Sequence, residues 1–66
     1  MKNTIKVQRA IKGLTQEELA QKTSVSRQTI NAMEANKYVP STVLALKIAK
    51  VFNIPVEELF ILEKND

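Results

Sequence analysis

A short polar segment, residues 27–35, carries side chains whose types and spacing suit the edges of DNA base pairs. On a helical period of 3.6 residues, Gln28, Asn31 and Ala32 lie on one face, and Arg27 lies in the exposed first turn. Arginine matches the O6 and N7 acceptors of guanine, and glutamine matches the N6 and N7 atoms of adenine. We therefore predict that these four residues contact bases in the major groove. The alternative is an ordinary solvated helix face.

A second short helix in front of this segment supports that interpretation. Thr15 is followed three residues later by Glu18, which is the pattern of a capping box, and Leu14 and Leu19 have the spacing of a hydrophobic staple. Ser26 is the predicted N-cap of the next helix. Two short helices separated by a three-residue turn are typical of a helix-turn-helix DNA reader. The predicted inward positions of this pair are Leu19, Ala20, Val25, Ile30 and Met33.

Three further helices are predicted around this pair, which gives an all-α fold: a compact five-helix bundle forming one DNA-binding domain over residues 1–66. The first helix spans residues 3–12 and stops at Gly13, the only glycine. The fourth begins after Ser41, and the fifth spans residues 56–60. No strand hairpin is indicated, although the apolar C-terminal end tolerates a short strand.

The composition excludes several classes of protein. The 66 residues contain no Cys, no His and a single Gly, so disulfides, the commonest metal ligands, His- or Cys-based catalysis and phosphate-cradling loops are all absent. Neighbouring glutamates on a helix point about 100° apart, so Glu17 and Glu18 do not converge on a substrate, nor do Glu57 and Glu58. We predict no enzyme, no cofactor and no metal. With no signal peptide and no apolar run of roughly 20 residues, we expect a cytoplasmic protein without a membrane partner.

Charge is distributed unevenly along the chain. Residues 1–50 carry nine Lys or Arg against three Glu, a net +6, whereas residues 51–66 carry one Lys against four acids, a net −3. A basic body suits a phosphate backbone. Lys12 and Lys22 either help to bind phosphates by charge alone or are plain solvated lysines. Tyr38 suits a phosphate contact and equally suits packing over the corner before the fourth helix. The predicted phosphate-contacting residues are Gln16, Ser26, Thr29, Asn36, Lys37 and Tyr38.

Glu34 falls on the inward side of the third helix, beside Ile30 and Met33. An unpaired buried carboxylate is very costly. Arg9 in the first helix is the only arginine besides Arg27, so we predict an ion pair between Arg9 and Glu34. The alternative is a hydrated Glu34 at the rim of the core.

An apolar run of four residues near the C-terminus predicts an interface. A domain of this size has a thin core, and one reading helix contacts few bases, so a homodimer would help both stability and binding. The run is too continuous for one short helix to bury, and we expect some of its members to cross a two-fold axis as packed side chains or as a short antiparallel strand pair. Its members are Leu59, Phe60, Ile61 and Leu62.

The block from Arg9 to Glu34 resembles the phage repressor/Cro family of helix-turn-helix regulators. Within it, LTQEELAQKTSVSRQTINAME, residues 14–34, follows the core signature of that family almost position for position. Residues 36–60 are similar to the rest of the family's five-helix domain. The chain looks like the short, single-domain prokaryotic members of that family.

The resemblance implies roles for individual positions. Gln16 matches the position that holds a backbone phosphate and supports the first reading residue, and Arg27, Gln28 and Ala32 match base-facing positions with Asn31 beside them. Arg9 and Glu34 match a buried ion pair of family members.

Two positions depart from the family pattern. Ser24 stands where glycine is usual in the turn, so a left-handed serine is expected at some cost in strain. Gln8 stands where leucine is common, so packing is expected to shift onto Val7 or Ile11.

The resemblance also implies the function. We expect a sequence-specific transcription regulator, a repressor that binds a palindromic operator in double-stranded DNA as a homodimer, with no small-molecule ligand evident. The alternative is a protein-interaction or antitoxin-like module that uses the same fold. Such modules tend to carry apolar or acidic residues on the outer face of the third helix, whereas this chain carries Arg27, Gln28 and Asn31 there.

Overall fold

The computed structural model describes all residues 1–66, and five helices make up most of it. They are α1 (Ile5–Lys12), α2 (Gln16–Thr23), α3 (Arg27–Glu34), α4 (Thr42–Phe52) and α5 (Val56–Leu59). Two short strands, β1 (Lys2–Asn3) and β2 (Phe60–Ile61), pair near the chain ends. The predicted five-helix class is confirmed. None of the helices has the length and apolarity needed to cross a membrane.

Side-chain caps fix where three of the helices begin. The Thr15 hydroxyl accepts from the Glu18 backbone N–H at 3.0 Å, and the Glu18 carboxylate accepts from the Thr15 N–H at 2.9 Å. Both bonds of the predicted capping box are therefore present. The Ser26 and Ser41 hydroxyls accept from backbone N–H groups of α3 and α4, each at 3.2 Å. These bonds satisfy donors that a helix start otherwise leaves unpaired.

Left-handed residues end the helices and turn the chain. Gly13 has φ of 67° after α1, and Ser24 has φ of 60° in the turn between α2 and α3. Asn36 and Asn53 take the same conformation, with φ of 59° and 55°. Ser24 therefore adopts the left-handed conformation expected of it. Helix α3 ends at Glu34, one residue before the predicted end.

Ten apolar side chains form one core where the five helices meet: Ile5, Leu19, Ala20, Ile30, Met33, Leu44, Ile48, Ala49, Phe52 and Leu59. Val25 is partly buried against it. The expectation that Val7 or Ile11 would take up packing in α1 is wrong, because their exposed fractions are 58% and 69%. Ile5 is the only fully buried residue of α1, since the outer face of that helix has no neighbouring element to cover it.

The N-terminal boundary of α1 also differs from the prediction. Asn3 lies in β1 rather than in the helix, and its Oδ1 atom accepts from the Ile5 N–H at 3.2 Å. Strand β1 pairs antiparallel with β2, with Lys2 opposite Ile61 and Asn3 opposite Phe60. The two strands lie at opposite ends of the sequence. Their pairing gives partners to backbone groups of residues 2 and 3 that the prediction places at or before the start of α1.

The C-terminal apolar run is divided between the core and the surface, which corrects the predicted interface. Leu59 is fully buried in its own domain, so it is not available to a partner. Phe60 is half-buried against the core, and its strand pairs with β1 of the same chain. Ile61 and Leu62 remain exposed. The end of α5 is also bonded to the residue after β1, because the Thr4 N–H donates to the Leu59 carbonyl at 2.9 Å.

Candidate nucleic-acid interface

Helices α2 and α3 pack through their apolar faces and leave the outer face of α3 exposed. Ile30 and Met33 of α3 are fully buried. Arg27, Gln28 and Asn31 are exposed, and Ala32 is partly buried. The four predicted base-contacting residues therefore lie on the outward side of α3, with the two longest side chains in its first turn. Such a side-chain set can donate to and accept from base edges.

Gln16, the first residue of α2, is hydrogen-bonded to three side chains of α3. Its Nε2 donates to Glu34 Oε1 at 3.1 Å and to Asn31 Oδ1 at 3.3 Å. Its Oε1 accepts from Arg27 Nη1 at 3.4 Å. The side chain of Gln16 thus connects the buried edge of α3 with its exposed first turn.

The structure brings Arg9 and Glu34 together as a two-point ion pair between α1 and α3. Arg9 Nε donates to Glu34 Oε2 at 2.7 Å, and Arg9 Nη2 donates to Glu34 Oε1 at 3.1 Å. The third nitrogen, Nη1, donates to the Leu14 carbonyl at 3.0 Å. The side chains are only 16% and 8% exposed. Such a paired geometry is strong and directional, so it fixes the orientation of α3 against α1.

Both partners of this pair are ionised at neutral pH. Burial raises the pKa of the Glu34 carboxyl, but the hydrogen bonds from Arg9 and Gln16 and the charge of Arg9 outweigh burial. The pKa of Glu34 consequently lies below its ordinary value. The hydrogen bond to Glu34 raises the pKa of Arg9. The carboxylate is therefore a permanent acceptor for Gln16 near neutral pH.

The two hydroxyls assigned to phosphate contacts lie at the start of α3. Ser26 Oγ and Thr29 Oγ1 are 2.9 Å apart and share one hydrogen bond. Ser26 is exposed and Thr29 is partly buried. Their position beside the N–H groups of the first turn places polar groups next to the positive end of the helix dipole.

The loop after α3 holds the other three residues assigned to phosphate contacts, Asn36, Lys37 and Tyr38, and all three are exposed. Tyr38 therefore does not pack closely over the corner before α4. Asn3 from β1 donates from Nδ2 to the Met33 carbonyl at 2.7 Å and to Asn36 Oδ1 at 3.0 Å. Sequence reasoning missed this role of Asn3, because nothing local in the sequence indicates that β1 reaches the end of α3.

The two lysines offered as general phosphate partners lie elsewhere. Lys12 and Lys22 line an open groove of about 670 Å³ at the C-terminal ends of α1, α2 and α4, together with Lys47 and Lys50. None of the residues assigned to base or phosphate contacts lines that groove. No three His, Cys, Asp or Glu residues come together in a way that could hold a metal ion.

A further surface is apolar. A groove of about 240 Å³ runs between the loop before α4, α4 itself and the end of α5, with Val39, Leu46 and Phe60 among its lining residues. Val43 and Leu62 are also exposed large apolar residues. The exposed apolar residues of α4, of the loop before it and of the C-terminal end are together called the apolar face below: Val39, Val43, Leu46, Ile61 and Leu62.

Comparison with known proteins gives a consistent result. The sequence model of the helix-turn-helix family matches residues 5–59. Over 66 residues and the full length of both chains, the protein is 54% identical to an uncharacterised HTH-type transcriptional regulator of Methanocaldococcus jannaschii. It is 47% identical, over the same extent, to the uncharacterised HTH-type transcriptional regulator YgzD of Bacillus subtilis.

Solved structures show the same architecture. The restriction-modification controller protein C.AhdI from Aeromonas hydrophila is similar with a TM-score of 0.78 and 34% identity over 85% of each chain. The N-terminal DNA binding domain of SinR from Bacillus subtilis is similar with a TM-score of 0.77 and 32% identity, covering 94% of this chain and 90% of that one.

Proposed function

This chain belongs to the helix-turn-helix family of DNA-binding transcriptional regulators, which are not enzymes, and we propose that it is a sequence-specific repressor acting on a palindromic operator as a homodimer. The observation that carries the proposal is the exposed polar face of α3, held in place by the side chain of Gln16. Repression requires only that the protein occupy its DNA, whereas activation requires a further contact with the transcription machinery. As a DNA-binding protein of this family it would act in the cytoplasm.

Base readout is assigned to α3. Arg27 and Gln28 lie in the first turn, which is the part of a reading helix that meets base edges. Arg27 suits guanine and Gln28 suits adenine. Ala32 offers only a methyl group, which suits the methyl group of thymine.

Phosphate contacts are assigned to the residues around α3. Lys37 contributes charge, and the side chains of Ser26, Thr29, Asn36 and Tyr38 contribute hydrogen bonds that position the protein without reading sequence. Gln16 contributes through the backbone, because the first N–H groups of α2 have no partner within the helix. The full proposed set is Gln16, Ser26, Thr29, Asn36, Lys37 and Tyr38.

The homodimer is assigned to the apolar face. A chain of this size leaves much of its apolar surface unburied, and a contiguous exposed patch is a common feature of an interface. Ile61 and Leu62 are the members of the predicted C-terminal run that remain available, and Val39, Val43 and Leu46 extend the surface. Half-sites of a palindrome lie about 34 Å apart, one turn of duplex, so the two-fold axis has to place the two α3 helices at that spacing.

Two matched substitutions test the assignment of readout. Arg27→Ala should lower the affinity for operator DNA by about 1–3 kcal/mol and relax preference at one base position per half-site. Lys37→Ala should instead weaken binding to all sequences alike and reduce the salt slope by roughly one unit. A selection from a random DNA pool supplies the operator, and titration on operator and random DNA at several salt concentrations supplies the comparison.

Two results would contradict the proposal. An equal loss of affinity on both DNAs for Arg27→Ala would mean that Arg27 contacts phosphate rather than a base. Failure of the parent protein to enrich any sequence would favour the alternative of a protein-interaction module on the same fold.

A further inference from the structure

The polar groups on the outer face of α3 are arranged in a fixed order of donors and acceptors. A carboxylate accepts hydrogen bonds only, and a guanidinium donates only. The amide of Gln16 lies between these two, with Glu34 Oε1 3.1 Å from its Nε2 atom and Arg27 Nη1 3.4 Å from its Oε1 atom. The charged residues at the two ends therefore permit a single orientation of this amide.

The orientation of Gln16 determines that of Asn31. Both N–H groups of Gln16 Nε2 are committed, one to Glu34 and one to Asn31. Only an acceptor can pair with the second of these N–H groups. Asn31 therefore turns its Oδ1 atom towards Gln16, at 3.3 Å from Gln16 Nε2. The amide nitrogen of Asn31 is left with two free N–H donors at the exposed surface.

This arrangement changes what Asn31 is able to recognise. An unconstrained asparagine reads adenine because it offers a donor to N7 and an acceptor to the N6 amino group at the same time. The hydrogen bond from Gln16 turns the Asn31 oxygen towards α2, so the side chain presents its NH₂ group, and not its acceptor, to a base. Facing adenine, its NH₂ would meet the N6 amino group, donor against donor. Facing guanine, it would meet the two acceptors O6 and N7.

We propose that Gln16, held by Glu34, makes Asn31 a donor-only reader that selects guanine over adenine at its base position. This inference rests on the proposed function and names the base that one position of the site would take. Gln28 makes no hydrogen bond of this kind and keeps both its donor and its acceptor for adenine. The two neighbouring amides of α3 are thus assigned opposite preferences. Gln16 acts here as a positioning residue, since it reads the base only through Asn31.

The test compares base preference among variants of the full chain. Selection from a random DNA pool is performed for the parent and for Asn31→Ala, and the position whose preference is lost in Asn31→Ala identifies the base that Asn31 contacts. Gln16→Met, which keeps the length of the side chain but cannot donate, frees the Asn31 oxygen. Lys47→Gln, in the separate lysine groove, is the control. Circular dichroism melts confirm that each variant is folded, and Gln16→Ala replaces Gln16→Met should the latter not be.

The measured quantity is the ratio of affinities for operators with guanine and adenine at that position. For the parent we expect guanine to be favoured by about tenfold, the scale of one good two-point base contact. For Gln16→Met the ratio should fall to near one or reverse, while Lys47→Gln keeps the parent ratio. A ratio is insensitive to a general loss of affinity or stability, so a merely structural role of Gln16 would leave it unchanged.

Other outcomes overturn the inference separately from the proposed function. Adenine preferred by the parent at that position, a ratio that is unchanged in Gln16→Met, or an Asn31→Ala variant that loses no preference would each refute it while a selected operator still supports the function. If the parent enriches no sequence, the proposed function fails, and the inference fails with it.

Discussion

The outer face of α3 and the apolar face differ in the kind of chemical group that remains at the surface. On α3 the large apolar side chains are all buried, and two of the exposed polar ones, Arg27 and Asn31, are hydrogen-bonded to Gln16. On the apolar face, Val39 and Leu62 are at least 70% exposed and have no cover. The first surface is polar and ordered within one chain, whereas the second leaves apolar burial incomplete.

This difference indicates different kinds of partner. A surface of ordered donors and acceptors suits a ligand with a fixed pattern of polar groups, because little is lost in ordering the side chains on binding. An uncovered apolar surface gains most from another apolar surface. The predictions below separate the two faces, starting with the largest expected effect.

Removing one member of the ion pair should destabilise the α3 side strongly. Arg9→Ala leaves Glu34 largely buried without its partner, and we expect a loss of about 3–5 kcal/mol in the free energy of unfolding. Glu34→Ala should also destabilise, and the double variant should lose less than the two single losses added together. Urea unfolding of the four proteins gives the coupling. Lys12→Ala, on the same helix but without a partner, serves as control, and a coupling near zero would mean that Glu34 is hydrated in solution.

A charge on the apolar face should impair association without unfolding the chain. Leu46→Glu should weaken self-association by about 100-fold, the scale of a well-buried interface residue. Ile11→Glu is the matched control, because Ile11 is 69% exposed against 55% for Leu46 and lies on α1. Sedimentation equilibrium measures both. If Ile11→Glu dissociates the protein and Leu46→Glu does not, the interface lies on α1 instead.

Lowering the pH should reversibly remove part of the stability that the ion pair of Arg9 and Glu34 contributes. The pKa of Glu34 is lower in the folded protein than its ordinary value of 4.5, so the folded state binds fewer protons than the unfolded state as the pH falls. The contribution of the pair is complete above that ordinary value and is lost as the pH falls through the folded pKa. The parent should therefore lose more stability than Glu34→Gln between neutral pH and pH 3, as measured by urea unfolding. The hydrogen bonds with Thr15 also lower the pKa of Glu18, but the parent and Glu34→Gln share that contribution. Parallel curves would mean that the pair does not form.

The same division explains what the sequence could and could not predict. Around α2 and α3 the informative signals are local, since a cap such as Thr15 and its partner Glu18 are three residues apart. The pairing of β1 with β2 joins residues at opposite ends of the chain through only two residues each, too few to leave a periodic pattern. For that reason the sequence predicts Leu59 in the interface, because nothing in its neighbourhood indicates that β1 pairs with the strand after α5. The ion pair of Arg9 and Glu34 could be predicted because few partners were available.

The hydrogen bonds of Gln16 lay beyond sequence reasoning for a different reason. The resemblance to known regulators implied that Gln16 supports Arg27, but the bonds to Glu34 and Asn31 depend on the rotamers of three side chains. Residue types alone allow either orientation of both amides. Only the three-dimensional placement of the carboxylate and the guanidinium selects one.

The smallest expected effect concerns the turn between α2 and α3. Ser24 is left-handed with φ of 60°, and that conformation costs an ordinary L-residue roughly 1–2 kcal/mol. Ser24→Gly removes this strain but loses about 0.4–1 kcal/mol through the greater freedom of glycine in the unfolded chain, so the net gain in stability should be at most about 1.6 kcal/mol. Asn53→Gly, at φ of 55°, is the control and should gain less, because asparagine tolerates this conformation better than serine. Thermal unfolding of the two variants measures the difference, and sedimentation should show that self-association is unchanged, since Ser24 lies outside the apolar face. If Ser24→Gly instead lowers the stability, the serine side chain stabilises the turn by more than its backbone strain destabilises it.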